Sequence, residues 1–280
     1  MSIFSRHLTG SGIKEIAYQQ EPWSILWTVL DNGDLLGFTY LREQDVLGWS
    51  HHQLGGKDVK VLSICCIPGT TQGELWMIVE RTVNGATVRY VEYMSYEFKP
   101  TSPDDKTGAV FVDSSLEYIG PPATNISGLD HLKGEKVQIL VDGAPHPEKT
   151  VDTSGSIVLN YPANRVQVGL GYKSILENLD IEIGAADGTA LGKKKRVNKI
   201  TVKFYNSMGG KIGYDEKRID DILTRDSSMP MNQSPPLFTG NRTVLFPKGW
   251  TRELRIRVEQ EQPLPMTVLG FAPIITVVDG

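Results

Sequence analysis

The most constraining feature of this sequence is an echo at a spacing of 46 to 49 residues. Ile13-Lys14-Glu15-Ile16-Ala17 is matched by Val59-Lys60-Val61-Leu62-Ser63, and Leu26-Trp27 by Leu75-Trp76. Pro22 and Pro68 stand between the two anchors of each copy. Within the first copy, Ser24–Leu30 turns at Asp31-Asn32-Gly33-Asp34 into Leu35–Tyr40, and Val46–Ser50 follows. In the second, Trp76–Glu80 passes through Val83-Asn84-Gly85-Ala86 into Thr87–Tyr93, with Phe111-Val112 as an expected outer strand. Runs of β-branched and aromatic residues separated by Gly, Asn, Asp and Pro read as strands. Each Asn-Gly pair supplies the positive φ angles of a tight hairpin. A period of this length is that of a four-stranded propeller blade. Two blades do not close a ring, so on this reading later segments add blades, or the rest of the ring is missing or supplied by another chain. The competing reading is a chance likeness between two meandering hairpins.

The rest of the chain is also strand-like. From about Asn125 to Gly184, short strands at Lys136–Val141, Ser156–Leu159 and Arg165–Leu170 suggest a small β-barrel or sandwich inserted into the larger structure. Arg196–Tyr205 and Leu254–Glu259 alternate apolar and polar residues, as half-buried strands do. Met266–Val278 gives a final apolar strand or pair, and Tyr214–Arg225 is the one segment expected to hold a short helix. The expected fold class is all-β, with partial propeller-like sheets and an inserted small β-barrel or sandwich. The expected divisions are propeller-like blades at 1–122, the inserted module at 123–186 and a return to propeller-like β structure at 187–280.

Composition narrows the function classes. The 280 residues carry 29 Lys and Arg against 33 Asp and Glu, a net charge of -4, so there is no overall basic excess of the kind that grips phosphates. A near-neutral or weakly acidic lining suits a conduit that nucleic acid slides through better than a clamp. No apolar run approaches the roughly 20 residues of a membrane-spanning helix, and the first residues lack the layout of a secretory signal. Adjacent side chains on a strand point to opposite faces, so Cys65 and Cys66 read as free thiols of a reducing compartment.

Little in the sequence points to chemistry. Of the histidines His7, His51, His52, His131 and His146, the adjacent pair His51-His52 offers one side chain per sheet face and has no Cys, Asp or Glu at ligand spacing around it, and no phosphate loop, dinucleotide fingerprint or nucleophile elbow is present. Asp152-Thr153-Ser154-Gly155-Ser156 is similar to the Asp-box turn of sialidase propellers but lacks its aromatic ending, and an ordinary turn is the simpler reading. Catalytic, cofactor-binding and metal residues are all expected to be none. Lys193-Lys194-Lys195-Arg196, the one basic cluster, is a candidate contact for DNA or an acidic partner; its bland reading is a solvated loop leading into a strand. Trp23 and Trp250, near strand ends, are candidate subunit contacts, as are Arg42, Glu43 and Asp45 in a polar loop and the loop Ser227–Pro236.

Ile16–Trp27 together with Asp31–Tyr40 resembles the tail-nozzle, or tail tubular B, proteins of short-tailed bacteriophages. The resemblance continues through Glu74-Leu75-Trp76, Val88–Glu92, Gly128–Leu132, Val168–Tyr172 and Pro263–Gly270. It implies a β-propeller with an inserted small β-barrel, in a ring, commonly a hexamer, at the end of a short tail through which the genome leaves. It implies no catalytic residues and no cofactor. The implied partners are copies of itself, other tail proteins and passing DNA bound without sequence specificity, with no membrane insertion. The implied location is the virion tail, after synthesis in the host cytoplasm. Relatives are usually longer at the N-terminus, so a C-terminal part or a shortened prophage product is expected. The alternative function is a tail module that binds a host receptor or glycan, with weak glycan hydrolysis.

Overall fold

The computed structural model describes residues 5–182, 184–185, 188–225, 227–230, 233–246 and 249–278. The fold is all-β, as expected, and is built of several antiparallel sheets. The one α-helix among the described residues, α1, is a single turn at Arg6–Thr9. No helix there is long and apolar enough to cross a membrane.

Strands β1 (Ile13–Gln19), β2 (Ile25–Leu30), β3 (Leu35–Leu41) and β4 (Val46–His52) form a four-stranded meander in sequence order. Strands β5 (Lys57–Pro68), β6 (Gly73–Val83) and β7 (Ala86–Tyr93) form a three-stranded one. The echo therefore falls on equivalent strands, β1 with β5 and β2 with β6. The facing differs, however. Trp27 is buried, and its counterpart in the core is Leu75, while Trp76 turns outward. A one-residue change of register exchanges the two faces of a strand. Phe111 and Val112 add no fourth strand to the second meander; both lie outside regular structure, and Phe111 meets Phe98 edge to face at 6.0 Å.

Both hairpins expected from Asn-Gly form, by different turns. At Asn84-Gly85 both residues have positive φ, 48° and 77°, as a two-residue hairpin requires. In the longer Leu30–Asp34 turn only Gly33 does, at 93°. A Cβ on Gly33 would also lie 2.7 Å from the Lys60 Cβ, because the Gly33 carbonyl accepts the Val61 N–H at 2.8 Å.

Strands β8 (Asp113–Ser127), β9 (Lys136–Val141), β10 (Ala144–Thr150) and β11 (Ser156–Leu170) make one open sheet in the order β10-β9-β11-β8. No sheet closes into a barrel, so the expected barrel is corrected to an open sheet. Its long strands β8 and β11 run antiparallel with three breaks in register, which bend the ladder without closing it. The expected division at 122/123 falls inside β8, and the one at 186/187 lies outside the described residues.

The remaining strands are β12 (Ser174–Glu177), β13 (Gly184–Ala185), β14 (Gly188–Thr189), β15 (Lys194–Ser207), β16 (Lys211–Asp215), β17 (Arg218–Asp221), β18 (Phe238–Leu245), β19 (Arg257–Gln260) and β20 (Thr267–Val278). They form a sheet β12-β19-β16-β17, the small pair β13-β14 and a three-stranded sheet β18-β15-β20. Strands β16 and β17 occupy the segment where a helix was expected. Asp215 explains the turn: its carboxylate accepts the N–H groups of Lys217 and Arg218, both at 2.9 Å, which closes a hairpin.

The chain divides into two compact units. The first comprises Met1–Glu97, Val112–Gln138 and Glu148–Tyr172; the second comprises Phe98–Phe111, Ile139–Pro147 and Lys173–Gly280. The first is centred on Trp27, Val29, Leu35, Val61, Ile64, Leu75, Met77 and Val79, which join the inner faces of the first two sheets. In the second, Val197, Ile200, Val202 and Phe204 of β15 pack with Ile212, Tyr214, Leu254, Ile256 and Val258. Each such aliphatic burial contributes about 1.5–3 kcal/mol before entropy is counted.

Candidate functional site

The first two sheets bury their inner faces on each other, and their outer faces are open in part. Cross-strand register places Tyr18, Leu26, Phe38 and Trp49 in one row across the outer face of the first sheet. Phe38 stacks on Trp49 at 4.7 Å and on Tyr40 at 6.2 Å. Ile16, Tyr18, Tyr40 and Leu47 are exposed there, Leu47 at 64%. In the next row, Thr28 and Leu36 are covered. Strand alternation causes this arrangement: β3 is apolar on both sides, so whichever side faces the core, the other carries Phe38 and Tyr40 outward.

The outer face of the second sheet is similar. Cys65, Trp76 and Tyr93 form one row, and Ile78 and Val91 are paired in the next. Trp76 and Tyr93 meet at 5.1 Å, and Val91 is 69% exposed. The row beyond is polar, with Arg89 donating to Glu80 at 2.8 Å. Contiguous apolar patches on a folded surface mark interaction sites when they exceed a few hundred Å2. The unit thus carries two chemically similar but non-identical apolar faces.

The link between these sheets is clamped. In the segment Gln53–Gly56, the Gly55 N–H donates to Asp113 Oδ2 at 2.6 Å, and the Gly55 carbonyl accepts Arg81 Nε at 2.9 Å. Arg81 is fully buried and forms a two-pronged pair with Glu92, one arm at 2.9 Å. Burial pushes the Asp113 carboxyl up to about 6, against the lowering effects of the Gly55 N–H and Arg81. Burial also raises the Tyr172 phenol, with Asp113 adding to it.

A pocket of about 290 Å3 opens beside the link, lined by Gly33, Asp34, His51, His52, Asp58 and neighbours. His52 sits edge-on to Trp27 at 4.8 Å, and burial, with the neighbouring His51, lowers it to about 4. Ser50 Oγ lies 2.9 Å from His52 Nε2, the spacing of a nucleophile and base. A histidine that titrates near 4 is a weak base at neutral pH, and the Ser50 hydroxyl also donates to the Gly37 carbonyl at 3.2 Å. Asp58 accepts the Thr82 hydroxyl at 3.0 Å, and Asp34 accepts Asn32 Nδ2 at 2.6 Å. The two carboxylates are thus engaged with neighbours, and no tryptophan lines the pocket. Among the described residues, no group of three or more His, Cys, Asp or Glu side chains is arranged to hold a metal ion.

The residues singled out in the sequence are dispersed. Trp23 and Trp250 are about half exposed, one in each unit. Arg42, Glu43 and Asp45 are exposed on the 3-10 turn between β3 and β4, where Asp45 has a positive φ of 52°. Of the basic cluster, Lys193 is half-buried and Lys194 is exposed at the start of β15. Lys195 is fully buried, its ammonium on Asp180 Oδ1 and Oδ2 at 3.1 Å and on the Ile181 carbonyl at 2.9 Å. The cluster is therefore not a uniformly solvated loop. Arg196 is half-buried on the opposite side of the strand from Lys195. Sequence reasoning overlooked the open faces, although apolar residues on both sides of β3 and β7 carried their signal.

No family model matches this chain, and no curated protein matches its sequence.

Proposed function

We propose that this protein is a virion structural component of a short phage tail, one subunit of the nozzle ring through which DNA leaves, and that it performs no catalysis. The observation that carries the reading is the pair of open apolar faces on opposite sides of one two-sheet stack. Two different faces that meet head to tail between copies make a heterologous contact, which closes into a ring when the rotation permits. The stack already contains a sheet-on-sheet contact of this type in its own core, between β2 and β3 on one side and β5 and β6 on the other. The resemblance of Ile16–Trp27 and Asp31–Tyr40 to nozzle proteins supplies the setting, and the ring is expected to be a hexamer in the virion, beside other tail proteins.

The test is mass in solution by light scattering at several protein concentrations, for the parent chain and for Leu47→Lys and Val91→Lys. Both positions are exposed on edge strands, where lysine is tolerated in the fold. The expected result is concentration-dependent assembly that either substitution abolishes while the melting temperature is kept. A chain that is monomeric at all concentrations, or assemblies indifferent to both substitutions, would overturn the role of these faces.

A further inference from the structure

The three-stranded sheet β18-β15-β20 contains no acidic residue in any strand, whereas 33 of the chain's 280 residues are Asp or Glu. It contains six basic ones: Lys194, Lys195, Arg196, Lys199, Lys203 and Arg242. Lys195 is neutralised internally by Asp180. The inward side of β15, carrying Val197, Ile200, Val202 and Phe204, is core. The outward side carries Lys194, Arg196, Lys199, Thr201, Lys203 and Tyr205, with Lys194, Lys199, Lys203 and Tyr205 exposed. A break in register between Val197 and Lys199 sets the two halves of the strand in this common facing.

The neighbouring strands extend the face with neutral hydrogen-bonding groups. Thr243 lies opposite Thr201, with the hydroxyls 2.8 Å apart, and Asn241 lies opposite Lys203. Asn198 Nδ2 donates to the Thr276 hydroxyl at 2.8 Å. No acidic side chain lies within ion-pair distance of Lys194, Lys199 or Lys203 among the described residues. We infer that the outward face of β15 and its two flanking strands is a docking surface for the phosphate backbone of duplex DNA.

Charge complementarity selects this occupant. Lysine and arginine with hydroxyl and amide donors are the groups that contact phosphate and sugar without reading bases. The cations run from Lys194 to Lys203, roughly 30 Å of extended strand, which matches about nine base pairs of duplex. A second copy docking by the same face would set lysine against lysine. Leu245, Leu269 and Ile274 are also exposed on this side and form an aliphatic margin around the basic strand. Four cations spread over such a length give a weak, salt-sensitive contact, suited to DNA that must keep moving. The overall charge of -4 conceals this face because the acids lie elsewhere in the sequence. The choice of DNA among polyanions rests on the conduit reading above; the presence of a polyanion face does not.

The experiment is fluorescence anisotropy of a labelled duplex of about 30 base pairs with the full chain, over a series of salt concentrations from about 20 to 200 mM. The comparison proteins are the double variants K199A/K203A and K199E/K203E. The expected result is binding at low salt that either double variant weakens at least tenfold. The slope of log affinity against log salt should become shallower by about two in K199A/K203A, one counterion per lysine removed. Unchanged melting temperatures, together with light-scattering masses equal to the parent's, separate this outcome from misfolding or lost assembly. Absence of binding at about 20 mM salt, or equal binding by the variants, overturns the proposal. So does competition by poly-L-glutamate as effective as by unlabelled duplex, which would assign the face to an acidic protein. A parent chain that assembles but binds no duplex at low salt would refute this face alone; a parent chain that binds duplex but stays monomeric would refute the ring alone.

Discussion

Asp113 holds Gly55 by its backbone: Oδ2 accepts the Gly55 N–H at 2.6 Å, while Arg81 takes the carbonyl of the same residue. The link from the first sheet to the second is thus fixed by side chains from β6 and from the start of β8. The Gly55 side is equally constrained, since a Cβ there would lie 2.8 Å from the Gly171 carbonyl oxygen and 2.9 Å from that of Leu170. A carboxylate in this position is costly, because Arg81 is already paired with Glu92 and the extra negative charge is buried.

That cost has a sign. With its carboxyl raised to about 6 in the fold against an ordinary 3.8, Asp113 favours folding when protonated. Its contribution is complete below about 3.8 and is lost as pH rises through 6, a difference of up to about 3 kcal/mol. Asp113→Asn keeps an oxygen to accept the Gly55 N–H and removes the charge. The expected outcome is a variant more stable than the parent at pH 8 and nearly equal to it at pH 4, read by thermal melts across pH. A variant less stable at pH 8 would mean that Arg81 needs the charge more than burial opposes it.

His52 works in the opposite direction over nearly the same range. It is lowered from 6.5 to about 4, so its neutral form favours the fold. That stability is present above about 6.5 and is lost as pH falls toward 4. Between pH 6.5 and 4 the two groups therefore offset each other. His52→Gln should gain stability on acidification relative to the parent, whereas Asp113→Asn should lose it. Parallel slopes for the two variants in denaturant titrations at pH 4, 5, 6 and 7 would contradict this opposition.

The strand pattern was largely legible in the sequence, and the turns tell where legibility ended. Asn84-Gly85 and Asn32-Gly33 look alike, yet only the first uses both residues at positive φ. The first joins its strands by two residues, the second by four, with Asp34 N–H donating to Asn32 Oδ1 inside the turn; the Val61 N–H that also binds the Gly33 carbonyl comes from the neighbouring sheet, outside any local window. Both glycines should resist alanine, but unequally. Gly85→Ala meets open space and should cost about 1 kcal/mol for the left-handed backbone alone. Gly33→Ala also collides with Lys60 backbone and side-chain atoms and should cost clearly more, by about 1–3 kcal/mol. Equal losses in urea melts would show that the contact between the two hairpins yields without cost.

The open faces were only half legible. The apolar residues of Thr87–Tyr93 and Leu35–Tyr40 marked strands, but the pattern cannot tell an apolar side that meets a core from one that meets nothing. Asp113 gave no signal at all, since a lone aspartate before a strand is an ordinary surface residue until Gly55 and Arg81 are brought to it. The expected short helix failed for a local reason, because Asp215 caps a turn as readily as it would a helix.

The basic run Lys193–Arg196 shows most sharply how neighbours in sequence part company. Alternation along β15 sends Lys195 inward and Lys194 and Arg196 outward. The Lys195 ammonium is the donor that satisfies both Asp180 oxygens and the Ile181 carbonyl, while Asp180 Oδ1 also accepts the Leu254 N–H at 2.5 Å. Removing the cation leaves the Ile181 carbonyl without its side-chain donor and the Asp180 carboxylate with only the Leu254 N–H, so Lys195→Ala should cost about 3 kcal/mol. Lys199, four residues along and exposed, should cost within about 0.5 kcal/mol when replaced by alanine. The two substitutions remove the same charge, so an account that counts only the charge of the basic run predicts equal effects. Chemical denaturation of both variants decides: a stability loss confined to Lys195→Ala is the expected outcome, and comparable small losses at both positions would mean that the Asp180 site is open to water.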